Sequence, residues 1–514
     1  RAEEARQIDA QKDNIKKNLR ELFAGELGIS VDKLNDDSNF IVELGGDSLM
    51  LMSIALKIEE IFGISLEAED MMSGNSVSSM AEIISRKLSG EDKLTEAPEE
   101  KTPITDFRDS REFKEFSARQ SALMSSGMEN PYFVKHDSAL FDVSMMDGKE
   151  TLNFGSYNYV GMSGNALTKK AAIEAIEKLG TSASGSRLLA GEKSLYQELE
   201  GEIAAWKHAE SALVLVSGHA TNVTLVGNFC QKGDLIVYDS LAHNSIVQGT
   251  KLSKADSKPF PHNDYNALDK ILTRIRKYYE KVLIVIEGAY SMDGDVAPVP
   301  EFVKIKEKHG CFLMVDEAHS ACVLGRTGGG VDEYFNLKST DVDLRMGTLS
   351  KGLGACGGYV AGRTEVIEYL RYNLPGFVFS VGISPPLAAA TLSAIRQLRN
   401  NPDILTRLHE NIDYFISYAN SLGFDTCLAK DTAIIPIMVG DDKDAFILSN
   451  LMKHNGVFVP PAVYPAVPLG KARLRFCVIS EHKKEQIKQA LDTLDRLTKE
   501  TGIDISKKSA KKEA

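Results

Sequence analysis

A chain of 514 residues with 43% apolar content and a formal charge of −12 is long enough for two or three domains of ordinary globular type. No apolar run approaches the roughly 20 residues that span a bilayer, and the acidic balance argues against a nucleic-acid partner. Six scattered cysteines with no CxxC pair exclude a disulfide framework and suit reduced thiols in the cytoplasm.

The start, Arg1-Ala2-Glu3-Glu4, carries no secretory segment, and without a methionine it suggests a trimmed chain or a fragment. Residues 1–90 hold 10 Lys and Arg against 17 Asp and Glu, a balance of −7. Such an excess suits a module that docks on basic surfaces, and a merely solvated face explains it equally well. Helical spacing runs over residues 8–28, with Ile15, Leu19, Leu22, Phe23 and Leu27 on one face. A second helix is predicted over 48–62. Its inner stripe is Leu51, Ile54, Ala55, Ile58, Ile61 and Phe62, with Met50, Ser53, Lys57 and Glu60 outward. A last helix over 78–88 completes a compact bundle, which sets a first domain at 1–88.

Ser89 to Pro103 is charged, holds two prolines and has almost no apolar residues, so residues 89–110 read as a solvated linker. From 111 to 400 short apolar runs alternate with helical stretches: 212–216, 235–237, 282–286, 312–315 and 358–361. That alternation predicts an α/β domain with a mainly parallel sheet. Residues 401–506 read as helix, strand, helix in a smaller lobe, and the lysine-rich 507–514 as a disordered tail. There are no internal repeats.

Lys351 follows an apolar stretch and opens a glycine-rich turn, Ser350-Lys351-Gly352-Leu353-Gly354. A lone lysine beside glycines is usually a surface residue. Here a strand would deliver it to the carboxyl edge of the sheet, where open α/β folds bind ligands. About 35 residues upstream stands Asp316-Glu317-Ala318-His319 at another strand end. Asp316 alone reads as a cap for a following helix. Paired with Lys351 it suits pyridoxal phosphate (PLP), which needs a Schiff-base amine and a carboxylate at its pyridine nitrogen. His319 would then reach the ring's phenolic oxygen. Thr348 could offer a phosphate oxygen its hydroxyl. Gly352–Gly357 matches GxGxxG, but a strand follows it, so a dinucleotide site is rejected; the DEAH of helicases is rejected because no GxxxxGK[ST] accompanies it.

Ser217-Gly218-His219 follows a strand and opens a helix whose free N–H groups suit the phosphate. His243 could stack over a flat ring, although a structural histidine is the simpler role. Arg475 alternates with apolar residues on a strand buried on one face, where a guanidinium suits either an amino-acid carboxylate or a salt bridge. Ser48, after Gly45-Gly46-Asp47, is either a plain helix N-cap or a hydroxyl exposed for modification.

Taken together, residues 110–500 resemble the α-oxoamine synthases, a branch of the fold-type I PLP enzymes. The segments that carry the likeness are 157–161, Gly185–Leu188, Ser217–Asn222, Glu287–Gly294, Asp316–His319, Thr348–Lys351 and Arg473–Phe476. Residues 8–88 resemble an acyl or peptidyl carrier domain. The expected architecture is α/β: a fold-type I PLP-dependent transferase with a large parallel-sheet domain and a small C-terminal α+β lobe, preceded by a four-helix carrier bundle. The resemblance implies that Lys351 is the Schiff-base lysine, Asp316 the pyridine partner and His243 the stacking ring. His319, with Ser291, would contact the ring hydroxyl. Thr348, Gly218 and His219 would hold the phosphate, and Arg475 with Asn158 the substrate carboxylate. Ser48 would carry 4′-phosphopantetheine. Two positions depart from the family: His219 stands where an aromatic is usual, and Val381 where a threonine often reaches the neighbouring subunit's phosphate.

The implied reaction is a decarboxylative condensation of a small amino acid with an acyl thioester on the chain's own carrier, giving an α-amino ketone. Implied partners are a phosphopantetheinyl transferase, upstream acyl-loading enzymes and a second copy in a homodimer. The linker would hold the donor at an effective concentration on the order of millimolar. Alternatives are a PLP-dependent aminotransferase, an acyl-CoA-using synthase with an accessory carrier, and a non-enzymatic carrier scaffold.

Overall fold

The computed structural model describes every residue except 1, 28, 41–47, 65, 67–69, 71–72, 89–102, 126–128 and 506–514. Residues 89–102 of the predicted linker, the predicted tail and Gly45-Gly46-Asp47 therefore lie outside the described residues, whereas linker residues 107–109 form a 3₁₀ turn. Contacts divide the chain into two units, residues 1–116 and 117–514. The division falls inside a helix, Arg111–Ser125.

In the first unit the described helices include Ala2–Leu27, Ser48–Phe62 and Val77–Leu88, with 3₁₀ turns at Val31–Lys33 and Phe107–Asp109. Ile15, Leu19 and Phe23 repeat at four-residue spacing and meet Ile54, Ile58, Met80 and Ile84 in one core. The Phe23 and Phe40 rings meet edge to face, 5.0 Å between centroids. A fourth helix would fall among residues largely outside the description. Two expectations fail at the ends of Ser48–Phe62. Met50 lies four residues before Ile54, hence on the same face, and packs against the core instead of facing out. Ile61 is 50% exposed, because in the last turn Phe62 is the residue that reaches the core.

The second unit is built on a seven-stranded sheet in the order Ser211–Leu215, Gly358–Gly362, Leu344–Thr348, Phe312–Asp316, Val282–Glu287, Leu235–Asp239, Asp256–Phe260. The five strands from Leu344–Thr348 to Asp256–Phe260 run parallel; Gly358–Gly362 is antiparallel to both of its neighbours. All six residues of Val282–Glu287 are buried, as are all five of Leu344–Thr348. Burial along the whole strand is what a parallel strand covered on both faces shows, and Arg345 within the second is buried against Asp332. The register sets Glu287 beside Asp316, and Asp316 beside Met346.

The smaller lobe holds helices Asp403–Ser421, Asp442–His454 and Lys484–Thr501 and a sheet in the order Ile434–Gly440, Ala472–Cys477, Pro461–Ala462. Two sequence expectations need correcting here. Ala472–Cys477 is the middle strand and all six of its residues are buried, so both faces are covered rather than one. A second small sheet joins Val143–Met146 and Lys149–Asn153 to Val457–Phe458, so a linear boundary at residue 400 splits a structural unit. Among the described residues no helix is long and apolar enough to cross a membrane.

Candidate active site

Each strand of the large sheet that carries a candidate residue presents it at its carboxyl end. Leu344–Thr348 ends at Thr348 and turns to Lys351; Phe312–Asp316 ends on Asp316; Val282–Glu287 ends on Glu287; Leu235–Asp239 leads to His243. Ser211–Leu215 leads to Ser217, which caps the helix Gly218–Phe229 through the Ala220 N–H. These ends enclose a cavity of about 180 Å³ lined by Gly218, His219, His243, Asp316, His319, Thr348 and Lys351, together with Asn222, Ser245 and Glu287.

Lys351 Nζ lies 2.7 Å from His319 Nε2, and His319 Nδ1 lies 2.8 Å from the Tyr159 hydroxyl. Burial lowers the Lys351 pKa from 10.5 to about 8, against the raising pull of Asp316. Burial first, and then the charge of Lys351, hold His319 well below the usual imidazole range, so its ring is neutral. With Lys351 donating to Nε2, the Nδ1 proton is left to donate to the Tyr159 oxygen. Tyr159, wholly buried, stays protonated because burial pushes its pKa well up.

Asp316 accepts from Asn222 Nδ2 at 2.7 Å and from the Ala318 N–H at 2.9 Å. No helix follows it: residues 318–322 form turns, so the capping role is replaced by a tight bend that aims the carboxylate into the cavity. Glu287 accepts the His243 N–H at 2.6 Å, yet burial and the neighbouring Asp316 push its pKa well above the usual carboxylate range. Both effects drive Glu287 to hold its proton. His243 caps Asn244–Leu252 through Nδ1, with Ser245 Oγ at 2.7 Å, and burial lowers its pKa. The His219 ring meets the His243 ring edge-on, 6.3 Å between centroids.

Arg475 sits on the buried strand of the smaller lobe. Its Nε donates to the Ser291 carbonyl at 2.6 Å and its Nη1 to the Tyr157 hydroxyl at 2.9 Å, while the guanidinium lies 4.9 Å from the Tyr157 ring centroid. Lys351 Nζ approaches the same ring at 5.7 Å. No carboxylate pairs with Arg475 among the described residues. The salt bridge belongs to its neighbour Arg473, 2.6 Å from Asp293.

Three predicted residues, Arg475, Asn158 and Ser291, do not line that cavity. The Asn158 amide is taken at both ends, donating to Leu140 O at 3.0 Å and accepting from Ser163 N at 3.0 Å; Tyr157 stands beside Arg475 in its place. Ser291 holds Arg475 through its backbone and lines a different cavity. Ser48 does open its helix, and its side chain lies outside the described residues. Sequence reasoning gave no role to Asn222, Glu287, Tyr157 or Tyr159, although each stands in a segment it singled out.

The residues present fit PLP. The orphaned Asn222 Oδ1 is buried beside the cavity with both amide protons used, on Asp316 and on Ser245. Gly218 packs so close to Thr348 that an added Cβ would meet Thr348 Oγ1 at 2.7 Å. That cradle brings backbone N–H groups, a helix N-terminus and a hydroxyl to one point, which suits a phosphate.

Residues 149–494 match the family model described as aminotransferase class I and II, and residues 17–84 match that of a phosphopantetheine attachment site. The chain is 39% identical over 360 residues to the 8-amino-7-oxononanoate synthase of Thermoanaerobacter pseudethanolicus, covering 70% of this chain and 91% of that protein. It is 38% identical over 352 residues to 8-amino-7-oxononanoate synthase 1 of Bacillus subtilis, covering 68% and 89%. Among solved structures, the serine palmitoyltransferase of Sphingomonas wittichii superposes with a TM-score of 0.73 at 31% identity, covering 77% of this chain and 99% of that one. That of S. paucimobilis with bound PLP and myriocin gives 0.74 at 30%, covering 78% and 100%.

Proposed function

Because the chain belongs to the aminotransferase class I and II family, as a PLP-dependent α-oxoamine synthase with a phosphopantetheine carrier domain ahead of it, we propose that it condenses a small amino acid with an acyl thioester held on that carrier. The products are an α-amino ketone, CO2 and the free carrier thiol. The observation that carries this reading is a buried amine near neutrality, Lys351, facing a neutral His319, with the carboxylate-free guanidinium of Arg475 across the Tyr157 ring.

PLP in this cavity supplies an electron sink for the carbanion formed when the Cα proton leaves. Asp316 would hold the pyridine nitrogen, His243 stack on the ring, His319 meet its hydroxyl, and Thr348 with the Gly218 and His219 backbone hold the phosphate. Arg475 would donate to the amino-acid carboxylate from Nη2, while its Nε on Ser291 O and its Nη1 on the Tyr157 hydroxyl fix the guanidinium plane. Lys351 Nζ takes the Cα proton, a task for which a pKa of about 8 leaves part of the amine unprotonated near neutral pH. The carbon then attacks the thioester carbonyl: a C–C bond forms, the C–S bond breaks and the carrier leaves as a thiolate, which takes a proton from water. The bond to the carboxylate breaks next, CO2 departs, and Lys351 returns a proton to the same carbon.

Ser48 is the attachment point in this reading, loaded by a phosphopantetheinyl transferase and charged by upstream acyl-loading enzymes. The exposed Phe379 and Val381, 88% and 48% accessible, support assembly as a homodimer. The test supplies carboxyl-labelled glycine, alanine and serine in turn to the acyl-loaded chain and measures labelled CO2. Release that needs both Ser48 and Lys351 is expected. No release with any of them, while the amino acids still perturb the cofactor's absorbance, overturns the reading.

A further inference from the structure

The strand Asp256–Phe260 forms one edge of the large sheet and contributes no residue to the reacting cavity. After Pro261 come His262 and Asn263, whose donors converge on two carboxylates. The His262 ring sets Nδ1 2.9 Å from Asp239 Oδ1 and Nε2 3.0 Å from Asp295 Oδ2. Asn263 repeats the link: its N–H donates to Asp239 Oδ2 at 2.8 Å and its Nδ2 to Asp295 Oδ2 at 2.7 Å. Asn263 takes a left-handed backbone, φ 53°, so two consecutive residues turn toward the same pair.

We propose that His262 is a positioning residue, a bridge between Asp239 and Asp295 that fixes the His243 turn against the Ser291 loop around the bound amino acid. The inference rests on the reading above, in which His243 faces the cofactor and Arg475 the amino-acid carboxylate.

Each carboxylate shapes one of the two segments. Asp239 ends Leu235–Asp239. Its Oδ1 accepts the Leu241 N–H at 2.8 Å and its carbonyl the Ala242 N–H at 2.9 Å, which sets the turn that delivers His243. Asp295 accepts the Tyr290 N–H at 3.0 Å through its carbonyl and so closes the loop Tyr290–Asp295. Within that loop the Ser291 carbonyl holds Arg475 Nε at 2.6 Å, and Asp293 holds Arg473 at 2.6 Å. The two segments follow paired strands, Leu235–Asp239 and Val282–Glu287, and His262 ties them together from outside the cavity.

The geometry also dictates the charge of the ring. Both nitrogens face carboxylate oxygens, and a neutral imidazole, with one N–H, would set a lone pair against one of them. Burial disfavours the cation, but the hydrogen bonds and charges of Asp239 and Asp295 outweigh it and raise the His262 pKa to about 10. Tyr290 also faces the ring, perpendicular to it at 4.4 Å between centroids, and burial keeps its phenol protonated. Hydrogen bonds from a cation to two anions are stronger than neutral ones, which makes this a stiff link.

The test titrates glycine, alanine and serine into the full chain with PLP bound and reads the cofactor's absorbance, with no acyl donor present. In His262→Gln the amide donates to one carboxylate only and turns its oxygen toward the other. Amino-acid affinity is expected to fall about tenfold or more, the scale for a small misplacement of binding groups. Asp295→Asn alone should leave the affinity near the parent's, because its amide oxygen still accepts from His262. Added to His262→Gln, it supplies an N–H to the stranded oxygen and should restore most of the affinity. Asn263, whose Oδ1 has no partner among the described residues, can turn its amide to match. A residue that merely braced the fold would show no such rescue. An affinity in His262→Gln equal to the parent's, or a double variant no better than the single one, overturns the proposal. The unaltered chain gives a second reading that needs no folded single variant. Its labelled-histidine ¹⁵N spectrum should show a ring with both nitrogens protonated well above neutral pH and missing from the double variant; the absence of that ring overturns the bridge. Amino-acid binding without CO2 release would sink the condensation alone, whereas normal binding by His262→Gln sinks the bridge alone.

Discussion

Glu317 and Asp316 are consecutive residues, and their surroundings are opposite. Glu317 meets Lys207 at 2.6 Å with neither side chain exposed; Lys207 also bonds Gly329 O, and Asp332 on the same cluster is forked by Arg345 at 2.8–3.0 Å. Two cations and two carboxylates close on one another there. Around Asp316 the charges stay open: Lys351 and Arg475 have no ion-pair partner among the described residues, although Arg475 is buried and Lys351 partly so. Buried ions that satisfy one another fix the shape of a turn, whereas buried ions held apart cost stability and stand ready for a ligand. One bend after Phe312–Asp316 thus serves both purposes, a brace on one side and a reactive cavity on the other.

That contrast predicts which substitutions cost activity and which cost stability. Lys351→Ala should lower CO2 release by about a thousandfold or more and abolish the lysine-bound cofactor's absorbance. The PLP-free variant should unfold at no lower denaturant concentration than the parent, since an unpaired buried amine is gone. Unfolding of the PLP-free variant at clearly lower denaturant would show that Lys351 braces the fold after all. Arg475→Gln should raise KM for the amino acid about a hundredfold while the cofactor still binds, the scale for losing one partner of a buried charge pair. A KM within twofold of the parent would remove Arg475 from the substrate.

Glu317→Gln is expected to behave the other way. Leaving Lys207 buried without its countercharge should lower the unfolding free energy by about 3 kcal/mol, read by denaturant titration, with the cofactor spectrum preserved. Tyr159→Phe removes one buried hydrogen bond to His319 and should cost about 1 kcal/mol with little loss of cofactor binding.

The comparison also has a pH signature. The PLP-free chain should capture the cofactor faster as pH rises through about 8, where Lys351 sheds its proton, and level off above. The depressed amine destabilises the fold fully below about pH 8. That cost is relieved as pH climbs from about 8 towards 10.5, because the unfolded chain there still binds the proton the folded one has released. A capture rate flat across this window would mean the amine is not the group that titrates.

What could be read in the sequence followed locality. Lys351, Asp316 and His319 each stand just past a short apolar run, so strand ends and chemistry were visible together. Arg475 was visible as a cation among apolar residues, but its neighbours were not. Tyr157 lies 318 positions away, and only the packing of the smaller lobe brings the two within 2.9 Å. Asn222 was hidden for the same reason, meeting Asp316 across 94 positions. Asn158 was chosen over Tyr157 by the resemblance, where adjacent residues point to opposite tasks. The small sheet of Val143–Met146 and Lys149–Asn153 did leave a signal, Asp147-Gly148, both with positive φ at a two-residue hairpin turn. Its pairing with Val457–Phe458, three hundred positions on, left none.

The claim at the centre of this account is that the acyl donor reaches Lys351 on the chain's own carrier. The direct test is a single turnover of the acyl-loaded chain at saturating amino acid, with CO2 release followed across serial dilution of the protein. The account predicts a first-order rate constant that does not change with dilution, because the tether fixes the donor's local concentration. A rate constant that falls in proportion to protein concentration would mean that the donor arrives from another particle, and would contradict it.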